Sequence, residues 1–235
     1  MKILALDTAT EACSVSLGID DRVIDRYVEL GRGHAERVLP MVEEVLAEGG
    51  VTLRSLDAIA FGRGPGGFTG VRLAASVAQG LAFGADLGVV PISNLAAVAQ
   101  RAARLAADAA QVLVVNDARM REVYWALFRT GAGIATGAGI GTDAEHVSPA
   151  ASVILPDEIA DSPSGPWVAA GRGLAVYPEL AARCADRGAR VFQDLLPRST
   201  EILTLARPAV AAGRLLDPAE ALPVYVRDRV AEPSV

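Results

Sequence analysis

Lysine, cysteine and histidine are scarce in this chain of 235 residues. Lys2 is the single lysine, and the other 21 basic residues are arginines. A GxxxxGK[ST] phosphate-binding loop is therefore excluded, as is a Schiff-base mechanism unless Lys2 serves in it. The two cysteines, Cys13 and Cys184, form no CxxC pair, and the two histidines, His34 and His146, lie far apart. We therefore expect no zinc site and no bound cofactor.

Long apolar runs and an excess of positive charge are also missing. No apolar run reaches the roughly 18 residues of a membrane span, and the N-terminus has no signal-peptide core. This predicts a cytoplasmic protein without a membrane segment. The 22 basic residues stand against 28 acidic ones, giving a net charge of −6. Binding of nucleic acid by the chain alone is disfavoured, because phosphate neutralisation needs clustered positive charge.

Hydrophobic periodicity predicts an α/β protein whose first lobe opens with a three-stranded meander. Residues 2–30 alternate in short apolar runs separated by polar breaks, which is typical of antiparallel strands. Two helices, Glu36–Glu48 and Val71–Phe83, flank a buried strand at Leu56–Phe61. A further strand leads to Ser93, a good N-cap for the next helix.

A second lobe is predicted to begin at Gln111 with another buried strand and hairpin. The repeated element order divides the chain into lobes of residues 1–108 and 109–235. The glycine-rich residues 131–141 predict a mobile loop. The later elements are predicted at Leu174–Arg187 (helix), Ser199–Ala212 (helix) and Val224–Arg227 (strand).

A glycine-rich segment lies between a buried strand and a helix of the first lobe. Gly62, Gly64 and Gly67 satisfy the G-x-G-x-x-G spacing of a dinucleotide-binding loop, with Asp86 at about the expected distance for a ribose contact. Pro65 removes one backbone donor from such a cradle, and three strands precede it, whereas the fingerprint belongs to a first βαβ unit. The alternative, which the residues favour, is a tight turn that lets the helix pack close to the sheet.

An acidic residue ends the first strand of each lobe. Asp7, followed by Thr8, could hold a metal–phosphate group, and Asp117 lies in the matching place of the second lobe. Two-lobed phosphotransferases need a glycine turn after the first strand so that phosphate can approach the backbone. Residues 8–12 contain no glycine. Asp7, Thr8 and Asp117 therefore predict a vestigial nucleotide site, with ordinary turn residues as the alternative.

His34 and Cys13 are candidate reactive groups. His34 starts the first helix, but no second metal ligand follows at helical spacing and no G-x-S-x-G elbow supplies a nucleophile. We interpret it as a residue of the helix N-terminus. Cys13 lies in an alternating strand and is interpreted as a small buried hydrophobe.

The second helix is apolar on nearly all sides. Small residues form one stripe along it and larger apolar residues form another, which is typical of a helix buried on both sides or buried in a partner. The apolar face of the first helix could extend such a surface. The residues alone leave both interpretations open, a core helix, which they slightly favour, and a partner interface. The predicted interface residues are Val38, Val42, Leu46, Phe68, Val71, Ala74, Ala75 and Ala78.

Five segments, in order along the chain, are similar to one bacterial family. They are ILALDTATEACSVSL, GRGHAERVLPMVEEVL, AFGRGPGGFTGVRLAASVAQGLAFG, NDARMREVYWALF and PVYVRDRVA. On these segments the chain resembles the TsaB (YeaZ) family of threonylcarbamoyladenosine biosynthesis proteins along nearly its whole length, most specifically in GPGGFTGVR. The resemblance implies two actin-like, RNase-H-like lobes, each with a mixed sheet and flanking helices.

The resemblance also implies a supporting role in tRNA modification. The family takes part in making N6-threonylcarbamoyladenosine beside the anticodon of tRNAs that read ANN codons. A catalytic paralogue, TsaD, holds a metal and transfers the threonylcarbamoyl group, and an ATPase, TsaE, joins the two. The resemblance thus implies a non-catalytic subunit that binds TsaD and meets tRNA through the complex. The same helices could pair with a second copy of the chain when the partner is absent.

The chain departs from the catalytic relatives at their metal site. Those carry His-x-x-x-His at the start of a helix, and the matching positions here are Asn94 and Val98. Valine cannot ligate a metal, so the resemblance implies a lost site. Because the family uses its first two helices to contact TsaD, we expect Ala78→Arg to break that heterodimer and leave the fold intact. The alternative function is an enzyme in its own right, an ATP-dependent phosphotransferase or a peptidase.

Overall fold

The computed structural model describes residues 1–131, 140–142, 144–159 and 165–226. These residues form two mixed β-sheets with helices between and outside them. The strands are β1 (Lys2–Asp7), β2 (Ala12–Ile19), β3 (Arg22–Glu29), β4 (Ala58–Gly64), β5 (Gly88–Ser93), β6 (Gln111–Arg119), β7 (Glu122–Thr130), β8 (Ile140–Thr142), β9 (His146–Pro149), β10 (Trp167–Ala170) and β11 (Arg190–Phe192). The helices are α1 (His34–Gly49), α2 (Phe68–Ala85), α3 (Asn94–Leu105), α4 (Gly173–Val176), α5 (Pro178–Asp186) and α6 (Ser199–Ala211).

The first sheet has the strand order β3-β2-β1-β4-β5. Strands β1, β2 and β3 form the predicted antiparallel meander, while β4 and β5 run parallel to β1. Successive side chains of a strand face opposite sides of a sheet. Leu4 and Leu6 therefore join the core under α1 and α2, while Ile3 and Ala5 join the core under α6.

The second sheet repeats this plan. Its order is β11-β10-β6-β7-β8, with β9 also pairing with β7. Strands β6 and β7 form an antiparallel hairpin, and β10 and β11 run parallel to β6. Strand β6 is thus the counterpart of β1, and β10 is the counterpart of β4.

Two helices form a central layer between the sheets. Helix α3, which comes before residue 108, packs mainly on the second sheet through Leu95, Val98 and Ala99. Helix α6, which comes long after it, packs on the first sheet through Ile202 and Ala206. A division near residue 108 therefore separates the two sheets but not the helices that cover them.

Several element boundaries differ from the predictions. Helices α1 and α2 begin earlier than expected, and the predicted helix Leu174–Arg187 is broken into α4 and α5 before Pro178. The strand predicted at Val224–Arg227 is wrong for residues 224–226, which belong to no strand, and Arg227 lies outside the described residues. Residues 132–139 of the predicted loop also lie outside them.

Candidate functional site between the two sheets

A cavity of about 630 Å³ opens between the two halves of the molecule. Its walls are the turn after β1 (Thr8–Glu11), the segment entering α1 (Leu30–Glu36) and the segment entering α2 (Pro65–Val71). The second half contributes the turn after β6 (Asn116–Met120), and the chain returns along the wall at Val224–Val226. This size is within the range of small-molecule sites.

Asp7 lies beneath this cavity and not on its wall. Its side chain is fully buried; Oδ1 accepts a hydrogen bond from Asn94 Nδ2 at 2.6 Å, and Oδ2 has no partner among the described residues. Burial raises the pKa of Asp7 to about 7, although hydrogen bonds from Asn94 and from the backbone of Ala9 and Thr8 oppose that shift. A carboxyl group that is shielded from the cavity and costly to ionise is poorly suited to hold a metal–phosphate group there.

Asn94 seals this end of the first sheet. It is the first residue of α3, whose predicted N-cap Ser93 accepts the N–H of Ala96 at 3.1 Å. Asn94 Oδ1 accepts the Gly64 N–H at 2.7 Å while its Nδ2 donates to Asp7. Val98, one helical turn later, is fully buried in the core of α3 and the second sheet. The two positions that the resemblance matches to metal-binding histidines therefore hold an engaged amide and a core valine.

The glycine-rich segment packs on the turn of the first hairpin. The Gly67 N–H donates to the Ala9 carbonyl at 2.7 Å, and Thr8 Oγ1 donates to the Gly70 carbonyl at 2.7 Å. A Cβ at Gly66 or Gly70 would overlap the backbone of Ala9 or Thr8. These glycines let two backbone segments approach each other, which supports the tight-turn interpretation.

The dinucleotide alternative gains no support from the structure. Gly62 and Gly64 lie inside β4 and not in a loop, and Asp86 is the C-cap of α2. A Cβ at Gly62 would overlap Asp7 Oδ1, so this glycine admits a buried side chain. The donor that Gly67 would offer to a phosphate is already bound by the hairpin.

The matching end of the second sheet faces the cavity. Asp117 Oδ1 accepts the Arg119 backbone N–H at 2.9 Å, and Oδ2 lies 3.1 Å from Arg119 Nη1. Arg119, Met120 and Arg121 have φ values of 62°, 54° and 62°, a left-handed turn made without glycine. Asn116, just before this turn, is 5% exposed, and neither of its amide atoms has a partner among the described residues.

The structure separates the two candidate reactive groups. His34 starts α1 as predicted, and the residue lines the cavity. Its Nε2 atom is buried and has no hydrogen-bond partner in the described part of the chain. Sequence reasoning missed this, because spacing along one helix carries no signal about a cavity shared with the other half. Cys13 is a buried core residue as predicted, and burial raises the pKa of its thiol to about 11.

Most of the predicted interface residues belong to this chain's own core. Six of them are at most 3% exposed, and all but Val71 belong to the core cluster that contains Leu4, Leu6 and Phe61. The six are Val38, Val42, Val71, Ala74, Ala75 and Ala78. They form no accessible surface, so their assignment as direct contacts is corrected. Ala78→Arg is expected to disrupt the core, and not to spare the fold.

The outer face of the two helices is what a partner can reach. Leu39 on α1 is 46% exposed, and Phe68 and Phe83 on α2 are 50% and 82% exposed. Ser76 lies between the two phenylalanines on the exposed side, and Leu46 is half-buried. Of the predicted set, only Leu46 and Phe68 are accessible on this face.

The end of the described chain returns to the first turn of α2. The Val224 N–H donates to the Arg63 carbonyl at 2.8 Å, and Arg72 Nε donates to the Tyr225 hydroxyl at 2.7 Å. The Arg72 guanidinium also stacks 3.5 Å from the centre of the Phe68 ring. The segment 224–226 therefore borders both the cavity and the exposed helical face.

Two further searches cover only the residues that the structure describes. Among them, no three His, Cys, Asp or Glu side chains are grouped so that they could hold a metal ion. No helix in this part of the chain is long and apolar enough to span a membrane.

Comparison with known proteins identifies the family. Residues 28–213 match the model of TsaD, tRNA N6-adenosine threonylcarbamoyltransferase. Over 98% of its length the chain is 40% identical to the tRNA threonylcarbamoyladenosine biosynthesis protein TsaB of Escherichia coli (strain K12), of which it covers 96%. The chain belongs to the TsaB family. The resemblance inferred from the five segments is thereby confirmed.

Solved structures confirm the fold of the TsaB family for this chain. YeaZ from Pseudomonas aeruginosa is 40% identical, with a TM-score of 0.81 over 95% of this chain and 99% of that one. Component A of Acidaminococcus fermentans (R)-2-hydroxyglutaryl-CoA dehydratase is 11% identical, with a TM-score of 0.51 over 90% of this chain and 98% of that one. The second likeness shows the shared two-lobed fold alone.

Proposed function

We propose that this chain is a non-catalytic subunit in the synthesis of N6-threonylcarbamoyladenosine at the adenosine 3′ of the anticodon in ANN-decoding tRNAs. It would bind and support a catalytic TsaD subunit, together with the ATPase TsaE, in the cytoplasm. The observation that carries this proposal is the sealed strand end of the first sheet. Where the family resemblance places the metal-binding histidines of the catalytic relatives, Asn94 is engaged by Asp7 and Gly64, and Val98 is core.

Reconstitution with one component omitted tests the role. Purified TsaD, TsaE, tRNA, threonine, bicarbonate, ATP and an enzyme that makes the threonylcarbamoyl adenylate are combined with and without this chain. We expect modified adenosine only when the chain is present, and none from the chain without TsaD. Synthesis at full rate in its absence, or product from the chain alone, would contradict the proposal.

We place the TsaD docking surface on the outer face of α1 and α2. Phe83 is the most exposed large apolar side chain on this face, and aromatic residues often anchor protein interfaces. Phe83→Asp should weaken the affinity for TsaD at least tenfold, because a desolvated charge would meet an apolar surface. Co-elution with TsaD measures this loss. Leu105→Asp is the matched control, since Leu105 is 59% exposed at the end of α3, away from this face.

The docking test is read together with the folding of each variant. Both aspartate variants should melt within a few degrees of the wild type, because both side chains are exposed. Equal co-elution of the Phe83 variant and the wild type would place the TsaD contact elsewhere. If both variants lost binding equally, the loss could not be assigned to the outer face of α1 and α2.

The geometry gives less support to an enzyme in its own right. A phosphotransferase of this fold would need Asp7 in the cavity, but Asp7 lies beneath it and is sealed by Asn94. A cysteine nucleophile is disfavoured because burial raises the pKa values of both Cys13 and Cys184 to about 11. Calorimetric titration with Mg-ATP tests the phosphotransferase directly, and tight binding to the isolated chain would revive it.

A further inference from the structure

Three side chains of types that are enriched in protein interfaces meet at the start of α2. They are Phe68, Arg72 and Tyr225, which we call the Arg72 cluster. The two aromatic residues are 50% and 47% exposed, and Arg72 is exposed as well. The centre of the Arg72 guanidinium lies 3.5 Å from the centre of the Phe68 ring and 5.5 Å from that of the Tyr225 ring. Folding thus gathers, on one accessible patch, residue types that often contribute strongly to binding.

The Arg72 guanidinium is held in place by this chain's own residues. It lies over the Phe68 ring, and its Nε donates a hydrogen bond to the Tyr225 hydroxyl at 2.7 Å, across 153 residues of sequence. An arginine side chain has many rotamers, and fixing them on binding costs conformational entropy. Because these contacts already restrict Arg72, a partner that binds it would remove less conformational freedom than it would from an isolated surface arginine.

The two terminal nitrogens of Arg72 remain available to a partner. Within the described residues, Nη1 and Nη2 have no hydrogen-bond acceptor, and no carboxylate lies within 4.0 Å of the Arg72 nitrogens. A carboxylate offers two oxygens that match this nitrogen pair, so two parallel charge-assisted hydrogen bonds can form. A single neutral acceptor would use only one of the nitrogens. The free edge of Arg72 therefore favours an anion with two oxygens.

We propose that Arg72 binds a carboxylate of the TsaD subunit, the side chain of an aspartate or a glutamate. This inference rests on the proposed function, because Phe68 belongs to the outer face of α1 and α2 on which we place TsaD. It adds the chemistry of one contact, a bidentate ion pair beside two aromatic rings. A tRNA phosphate could use the same nitrogens, but the net charge of −6 opposes the approach of a polyanion to this chain.

Calorimetric titration of the full chain with purified TsaD measures this contact. Arg72→Gln removes the charge and the paired nitrogens, and it should weaken the affinity for TsaD at least about thirtyfold, because truncating one partner of a hydrogen-bonded charge pair leaves the other unpaired in the interface. Arg72→Lys keeps the charge but not the paired nitrogens, so it should recover only part of the loss. Raising the salt concentration should weaken the wild type more than Arg72→Gln.

Two further variants separate a direct contact from a structural effect. Arg214→Gln is the matched control, since Arg214 is also exposed and has no ion pair within the described residues. It follows α6, which packs on the opposite face of the first sheet, so this variant should bind TsaD as the wild type does. Tyr225→Phe removes the hydrogen bond from Arg72 and keeps the charge, so it should weaken binding much less than Arg72→Gln. If Tyr225→Phe reproduced the full loss, the effect would come from segment 224–226 and the direct contact would be overturned.

Comparison with Phe83→Asp in the same titration shows which proposal fails if one does. Unchanged TsaD affinity in Arg72→Gln overturns the carboxylate contact. If Phe83→Asp still weakens binding, the outer face of α1 and α2 remains the docking surface and only the role of Arg72 is wrong. If neither variant weakens binding, the placement of TsaD is wrong as well. If Arg72→Gln binds TsaD normally but the assembled complex binds tRNA more weakly, Arg72 contacts phosphate, and the carboxylate contact is again overturned.

Discussion

The two sheets end their first strands in opposite ways, although β1 and β6 hold equivalent places. Asp7 at the end of β1 is fully buried, and its neighbours seal it from the cavity. Asp117 near the end of β6 lies on the cavity wall and pairs with an arginine that is 80% exposed. The same residue type at the same place in the fold is thus fully buried in one half and exposed to the cavity in the other.

The covering elements cause this difference. In the first half, α3 places Asn94 over the strand end, and the glycine-rich segment closes on the adjacent turn. In the second half, the left-handed turn Arg119–Arg121 bends at the cavity rim and leaves Asn116 with unpaired amide atoms. An aspartate after a buried strand therefore does not by itself indicate a ligand site. The residues packed over it decide whether ligand can reach it.

Replacing the buried carboxyl should have the largest effect on this comparison. Folding raises the pKa of Asp7 from 3.8 to about 7, so the unfolded chain loses this proton first and wild-type stability falls as pH rises from about 4 to about 7. Asp7→Asn removes that loss. The free energy of unfolding of the variant, relative to the wild type, should increase by about 4 kcal/mol between pH 4 and pH 8.

Urea denaturation of both proteins across this pH range measures the difference. Any packing change that does not depend on pH cancels, because only the change of the difference with pH is compared. Parallel profiles of the wild type and Asp7→Asn would show that Asp7 ionises freely in the folded protein, and the sealed strand end would then be an incorrect description.

A steric overlap between the start of α2 and the turn after β1 should have the next largest effect on stability. Gly70→Ala places a methyl group against the Thr8 carbonyl, a backbone atom that cannot swing away, and should destabilise the protein by about 3 kcal/mol. Gly80→Ala on the same helix is the control, because a Cβ there meets nothing within 4 Å. It should stabilise α2 by roughly 0.5–1 kcal/mol. Thermal denaturation that gave both variants the same sign would contradict the close approach at Gly70.

Much of the fold follows from local patterns. The meander, the hairpin at Gln111 and the Ser93 cap rest on neighbours in sequence, so alternation and capping chemistry predicted them. The crossing of α3 and α6 into a central layer rests on contacts such as Ser16 with Ser199 and could not be read locally. A continuous apolar helix looks the same whether its own sheet or a partner covers it, which is why Ala78 was assigned to an interface and is core.

The site was less predictable than the fold. The places of Asp7, Thr8 and Asp117 at strand ends single them out from the sequence, and the missing glycine after β1 predicts that side chains obstruct a phosphate there. Which polar atoms of Asn116 and His34 remain unpaired is decided only when the chain has folded. That property belongs to the packed structure and leaves no mark in the spacing of residues.

Relieving the left-handed turn of the second half should have a smaller effect. A non-glycine residue pays roughly 1–2 kcal/mol for a left-handed conformation, while glycine loses more entropy on folding. Arg121, with φ of 62°, is such a residue. Arg121→Gly should therefore stabilise the protein by about 0.5–1 kcal/mol. Arg121→Ala removes the same charge but keeps the Cβ, so it should give no such gain, and equal gains in urea denaturation would assign the effect to charge.

The same substitution at the open strand end should have the smallest effect. Asp117→Asn removes the ion pair with Arg119 but keeps the acceptor for the Arg119 backbone N–H. The arginine is 80% exposed, and such pairs contribute at most about 1 kcal/mol. We expect Asp117→Asn to change the free energy of unfolding by less than about 1 kcal/mol at neutral pH. A loss of several kcal/mol would mean that Asp117, like Asp7, supports packing, and the two strand ends would then differ in exposure but not in role.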